Sequence, residues 1–191
     1  MANLPPIVGY SPNSIYANFR TSSNKRYKSL SGLYKPREGG PYTGPIKQPK
    51  FRSKIELRLM TMLDNPKAEN VVSWSYESKR IPYLDHSTIL KNSNGTTYNP
   101  TRNYVVDFIV TLRDGRTNQT NTFWIETKSM HDILVNKKGR KTKNAMIAEK
   151  IRVKNYSKWI AAKKAAEAVN AHFLVITENE LEALSKMIYR R

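Results

Sequence analysis

Two runs rich in apolar and β-branched residues, 104–112 and 122–128, are interrupted by charge at only a few places: Asp107 in the first, Glu126 and Lys128 in the second. Side chains alternate faces along a strand, so Glu126 and Lys128 share one side with Trp124, while Phe123, Ile125 and Thr127 take the other. The same alternation sets Val105, Asp107 and Ile109 against Tyr104, Val106, Phe108 and Val110. A bare carboxylate in such a run is costly unless it is paired or metal-bound. Asp114-Gly115 to Gln119 marks the connection as a hairpin loop, and if its centre lies at residues 116 and 117, antiparallel pairing places Asp107 opposite Glu126. Like charges facing across one rung destabilise a sheet, and a divalent cation between them removes the repulsion.

Carboxylate oxygens select a hard ion, Mg²⁺ or Mn²⁺, that keeps several waters and takes phosphate as a further ligand. Lys128, two residues beyond Glu126, then has the position to hold the attacking water or the phosphoryl oxygens as charge builds in the transition state. The chemistry assembled is phosphodiester hydrolysis. The same spacing also suits a salt-bridge cluster on an exposed sheet face. Glu56 has two readings as well, as the Glu of a capping box reaching back to the Ser53 amide or as support for the metal site. His86, His131 and His172 are scattered without metal-ligand spacing, and no serine elbow motif accompanies them.

Composition narrows the partner. The 191 residues include 33 Lys plus Arg against 15 Asp plus Glu, a formal charge of +18, which calls for an anionic partner. No apolar stretch approaches the roughly 18 residues of a membrane-spanning helix, so DNA is the expected partner, with no membrane and no small-molecule cofactor. Cysteine is absent, which excludes disulfides, thiolate zinc sites and cysteine nucleophiles. The N-terminus lacks the positive-then-apolar order of a secretory signal, and synthesis inside the cell is expected.

The elements that must position these residues follow from period and punctuation. Residues 1–50 hold most of the Pro and Gly, with eight Lys or Arg and tyrosines 10, 16, 27, 34 and 42 interleaved. They read as a basic arm or irregular wrap ahead of one folded domain over 51–191. Ser53-Lys-Ile-Glu56 starts an amphipathic helix over 53–64 with Ile55, Leu59, Met62 and Leu63 at helical spacing. A strand over 71–81 is expected to end at Pro82, followed by a polar loop or short hairpin tip through 103 with the Asn94-Gly95 turn. Two hairpin strands come next. A basic loop over 136–143 leads into a helix over 144–169, with Met146, Ile147, Ile151, Trp159, Ile160, Ala162 and Ala166 for a buried face and lysines opposite. A short strand, 171–176, and a second capping box, Thr177-Glu-Asn-Glu180, opening a helix to 188, complete the chain. Lys137, Lys138, Arg140, Lys141, Lys143, Lys154 and Lys158 are the candidate DNA contacts.

This order, with Asp107 and Glu126-Thr-Lys128 as its motif, resembles the PD-(D/E)XK nuclease superfamily. Arg52-Ser53-x-x-Glu56, Trp74-Ser-Tyr-Glu77 with Ile81-Pro-Tyr83, Asp107-Phe108, Ile125-Glu-Thr-Lys128, Asn155-Tyr-Ser-Lys-Trp159 and Val175-Ile-Thr-Glu178 occur in one order. In that order they resemble the head-completion nucleases of large contractile-tailed bacteriophages. Gly32-Leu-Tyr-Lys-Pro36 and Pro41-Tyr-Thr-Gly44 extend the likeness over residues 30 to 185. The Tn7-type transposon-end nuclease is similar in layout but less so in motifs. The resemblance implies a restriction-endonuclease-like α/β fold, a central mixed sheet flanked by helices. It implies Glu56, Asp107, Glu126 and Lys128 in the catalytic positions and the Thr127 carbonyl as an added metal ligand. It further implies a virion protein made in the host cytoplasm, acting late in capsid maturation on the DNA end beside portal or head–neck proteins. Val106 replaces the proline common before the catalytic aspartate, a position that supplies no ligand.

Overall fold

The computed structural model describes residues 31–133 and 143–189. In chain order they form β1 (Gly32–Leu33), β2 (Lys50–Phe51), α1 (Lys54–Leu63), β3 (Val71–Leu84), β4 (Leu90–Lys91) and β5 (Thr97–Tyr98). Then follow β6 (Thr101–Arg113), β7 (Thr120–Thr127), α2 (Met130–Ile133), α3 (Lys143–Glu167), β8 (Ala171–Ile176) and α4 (Glu178–Ile188). The expected order of helix, three strands, helix, strand and helix is present, with three two-residue-to-four-residue additions between the long elements: the β1–β2 pair, the β4–β5 hairpin and α2. Among the described residues no helix is long and apolar enough to cross a membrane.

The main sheet runs β3-β6-β7-β8. Its first three strands are antiparallel, and β8 lies parallel to β7, which requires a crossover that α3 supplies. The β6–β7 ladder pairs Phe108 with Ile125 and Arg113 with Thr120, the register demanded by a loop centred on residues 116 and 117.

Both faces are covered. Ser53 caps α1, its Oγ accepting from the Glu56 amide at 3.1 Å, and Ile55, Leu59, Met60 and Leu63 are buried. Thr177 opens α4 with a complete capping box, and Leu181, Leu184 and Ile188 join the α1 residues over Phe108, Val110 and Ile125. On the other side Ala162 and Ala166 of α3 meet Trp124 and Ala171.

Three local expectations are corrected. Strand β3 does not stop at Pro82 but continues to Leu84, pairing Pro82 with Asn103. It is an edge strand, and an edge tolerates a proline because a missing N–H can face away from the ladder. The buried face assigned to α3 holds for Trp159, Ala162 and Ala166 only. Met146, Ile147, Ile151 and Ile160 are exposed, the first at 67%. At 25 residues α3 is about 37 Å long, and its first half overshoots the sheet. Lastly, Glu56 does not reach back to the Ser53 amide; its Oε2 accepts from the Arg52 amide, at 2.7 Å.

Residues 31–50 lie against this body. Tyr34 and Tyr42 set their rings on buried Trp74, at 6.1 and 4.5 Å between centroids. The Trp74 main chain accepts from Thr43 N at 2.8 Å and donates to the Pro41 carbonyl at 2.9 Å. Asp64, the C-cap of α1, accepts from the Tyr34 hydroxyl and the Arg37 amide. Gly40 passes so close that a Cβ would stand 2.9 Å from Asp64 Oδ1, so only glycine fits there.

Candidate active site

Three irregularities coincide at Asp107. On one side β3 carries a bulge: Tyr76 pairs with Phe108 and Lys79 with Val106, so Glu77 and Ser78 together oppose Asp107 alone, and Glu77 has φ +49°. On the other side the β6–β7 ladder ends at Phe108 and Ile125. The next β7 amide that points toward β6, that of Thr127, donates instead to Asp107 Oδ2 at 2.8 Å, joined by the Thr127 hydroxyl at 2.9 Å. Along β6 itself, Phe108 belongs to the core beneath α1 and α4, while Val106 belongs to the core beneath α3. The aspartate therefore occupies a break in the sheet, where its carboxylate replaces a main-chain acceptor.

Asp107 and Glu126 are the first residues beyond the end of the β6–β7 ladder on their two strands, and the charge of one acts on the other. Glu126 is buried at 2% exposure. Its Oε1 pairs with Lys128 Nζ at 2.7 Å, and its Oε2 accepts from the Tyr104 hydroxyl. The Asp107 carboxyl is pushed up to about 7, first by burial and then by the Glu126 charge, while the Thr127 donors and Lys128 pull the other way. A buried acid with a raised carboxyl thus stands beside a second buried acid paired to Lys128.

Asp107, Glu126, Thr127 and Lys128 are brought together. The N–H and C=O of one strand residue point to the same side, so the Thr127 carbonyl turns toward β6 with the amide that binds Asp107. Among the described residues no group of three or more His, Asp or Glu side chains is placed to hold a metal ion. Two carboxylates and one carbonyl nevertheless fit Mg²⁺, which is commonly held by one or two carboxylates with water and substrate phosphate completing the shell. Glu56 is buried and connects to the group through Tyr76: its Oε2 accepts from the Tyr76 hydroxyl at 2.9 Å, and that hydroxyl feels the Asp107 charge.

Of the candidate DNA contacts, Lys137, Lys138, Arg140 and Lys141 lie outside the described residues. Lys143 is exposed and Lys154 half-buried on α3. Lys158 is placed differently from a surface contact: its Nζ lies 5.5 Å from the centre of the Tyr104 ring, and burial holds it below the ordinary lysine range against the pull of Glu126. Sequence reasoning missed Tyr76 and Tyr104, the donors to Glu56 and Glu126, because each reads as one more apolar member of an alternating strand. Their signal was the hydroxyl itself, which must find a partner when a tyrosine is buried.

The model of the family described as TnsA-like endonuclease N terminal matches residues 68–178. The match contains Asp107, Glu126, Thr127 and Lys128 and begins after Glu56. No curated protein matches the chain. A central mixed sheet with helices on both faces agrees with the restriction-endonuclease-like fold of that family. With more than half of its length matched and two opposed acids beside a lysine at the break in its sheet, the chain belongs to the TnsA-like endonuclease N-terminal family, a PD-(D/E)XK nuclease-like family whose substrate is DNA.

Proposed function

We propose that this protein is a Mg²⁺- or Mn²⁺-dependent DNA endonuclease. The observation that carries the proposal is the opposition of Asp107 and Glu126 at the sheet break, with Lys128 on Glu126 at 2.7 Å. Asp107, Glu126 and the Thr127 carbonyl would hold the ion, with Glu56 supporting the site through Tyr76. When bound, the ion supplies Lewis-acid neutralisation of the phosphoryl oxygens and a more acidic water. Lys128 would orient the attacking water; as its oxygen bonds to phosphorus one P–O ester bond would break, a water proton would pass to solvent and the departing alkoxide would be protonated by water. Tyr104 holds Glu126 in place from its other oxygen.

The basic segment, Lys137, Lys138, Arg140, Lys141, Lys143 and Lys154, grips the DNA backbone. The ordered motifs that resemble those of head-completion nucleases support a role in the virion, at the packaged DNA end, with portal or head–neck proteins as partners. A second reading, a capsid-closure or end-binding protein that keeps the nuclease fold without cutting, is favoured by one observation: Glu126 is already satisfied by Lys128 and Tyr104.

Plasmid nicking separates them. Wild type and Asp107→Ala are each incubated with supercoiled DNA in Mg²⁺ or EDTA. Nicking that needs the metal and disappears in the variant supports the enzyme. No nicking by either, with DNA binding retained by both, rules it out in favour of the end-binding protein.

A further inference from the structure

Helix α3 brings a second lysine to the two acids. Lys158 stands one turn before Ala162 and two turns before Ala166, both fully buried in the core beneath α3. It therefore occupies a sheet-facing position, where helix periodicity calls for an apolar residue. Its side chain is half-buried, and its Nζ lies 5.5 Å from the centre of the Tyr104 ring. The hydroxyl of that same tyrosine donates to Glu126. Ammonium, ring and buried carboxylate thus form one stack beside Asp107, and Lys158 feels the charges of Glu126, Lys128 and Asp107.

The two lysines of the site differ in what they are bound to. Lys128 is held on Glu126 Oε1. Lys158 makes no hydrogen bond and no ion pair among the described residues; the Tyr104 ring face is its close neighbour. A ring face compensates only weakly for drawing an ammonium out of water, so the group has unused donors over a site already built around phosphate chemistry. Lys154, one turn earlier, is different again: its charge acts on Asp85.

We infer that Lys158 is a catalytic residue that binds a non-bridging oxygen of the scissile phosphodiester. The inference rests on the nuclease reading above. Lys128 and Lys158 then divide the work, the first orienting the water beside Glu126 and the second stabilising charge that builds on the phosphoryl oxygen while the water oxygen bonds to phosphorus and the ester P–O bond breaks. Lys158 keeps its protons throughout; those exchanged belong to the water and the leaving alkoxide.

The absence of cysteine allows a direct test. Lys158→Cys introduces a single thiol, which 2-bromoethylamine converts to a side chain ending in an ammonium and iodoacetamide to one ending in a neutral amide. Nicking is followed under single turnover at saturating protein with Mg²⁺, DNA affinity with Ca²⁺, and folding by thermal melting. The unmodified and amide forms should cleave about 10²-fold slower than wild type, the cost of removing one transition-state donor. The aminoethylated form should recover most of that loss, with DNA affinity nearly unchanged. Should Lys158→Cys fail to fold, Lys158→Gln gives the same comparison against wild type. Equal rates for the ammonium and amide forms, or a saturated rate equal to wild type, would overturn the assignment of Lys158 while leaving the nuclease standing. A wild type without metal-dependent nicking removes both.

Discussion

Replacing Asp107 by Asn measures how strongly the fold opposes its two acids. In the metal-free protein the Asp107 carboxyl rises from the ordinary 3.8 to about 7, chiefly by burial and next by Glu126. Between about pH 4 and pH 7 the folded chain holds a proton there that the unfolded chain has released, so stability falls as pH rises through that window. A shift of about three units corresponds to roughly 4 kcal/mol at 1.36 kcal/mol per unit. Partial exposure of the residue to solvent reduces this to about 2 kcal/mol. Asparagine keeps an oxygen for the Thr127 donors and cannot ionise. In urea unfolding with EDTA, the difference between Asp107→Asn and wild type should therefore move by about 2 kcal/mol in favour of the variant from pH 4 to pH 8, roughly 4–8 °C in melting temperature. Mg²⁺ added at pH 8 should stabilise wild type, by about 2.7 kcal/mol at a hundredfold excess over Kd, and leave the variant unmoved. Parallel stability curves for the two proteins in EDTA would refute the claim that burial and Glu126 strain the empty-handed aspartate.

Two further outcomes follow from the same geometry. Tyr104→Phe removes the hydroxyl donor to Glu126 Oε2 inside a buried site and should lower unfolding free energy by about 1–3 kcal/mol in urea melts; an unchanged midpoint would mean that water replaces the hydroxyl. Binding to duplex DNA should weaken with salt at a slope of about 0.9 per phosphate neutralised, and Lys143→Ala should reduce that slope by close to one contact; a salt-independent affinity would remove the electrostatic account of the +18 charge.

Much of the fold is legible because its signals are local. The Ser53 and Thr177 caps are short-range competitions for free amides, and both are found where Ser-x-x-Glu and Thr-x-x-Glu stand. The β6–β7 register is equally local, since a hairpin's pairing is set by the centre of its loop. Errors appear where a residue's environment depends on a distant element. Met146, Ile147 and Ile151 carry a helical apolar pattern, yet they are exposed because α3 extends past the sheet that buries Ala162 and Ala166. Pro82 is a strand breaker in a central strand and harmless in β3, and only strand order tells the two apart.

The candidate site divides in the same way. From sequence alone, the symmetry of one loop set the β6–β7 register and the parity of β7 set Lys128 beside Glu126, because those relations span fewer than about two strands and a turn. The expected parity of β6, by contrast, fails at Asp107, where Tyr104 and Val106 enter one core and Phe108 and Val110 the other. The tertiary structure decided the rest. It placed the β3 bulge opposite Asp107, ended the ladder there, turned the Tyr76 and Tyr104 hydroxyls onto Glu56 and Glu126, and swung Lys158 over the site. Each of these joins residues separated by tens of positions, and such contacts arise from how helices and strands pack, a long-range outcome that residue types and spacing do not contain.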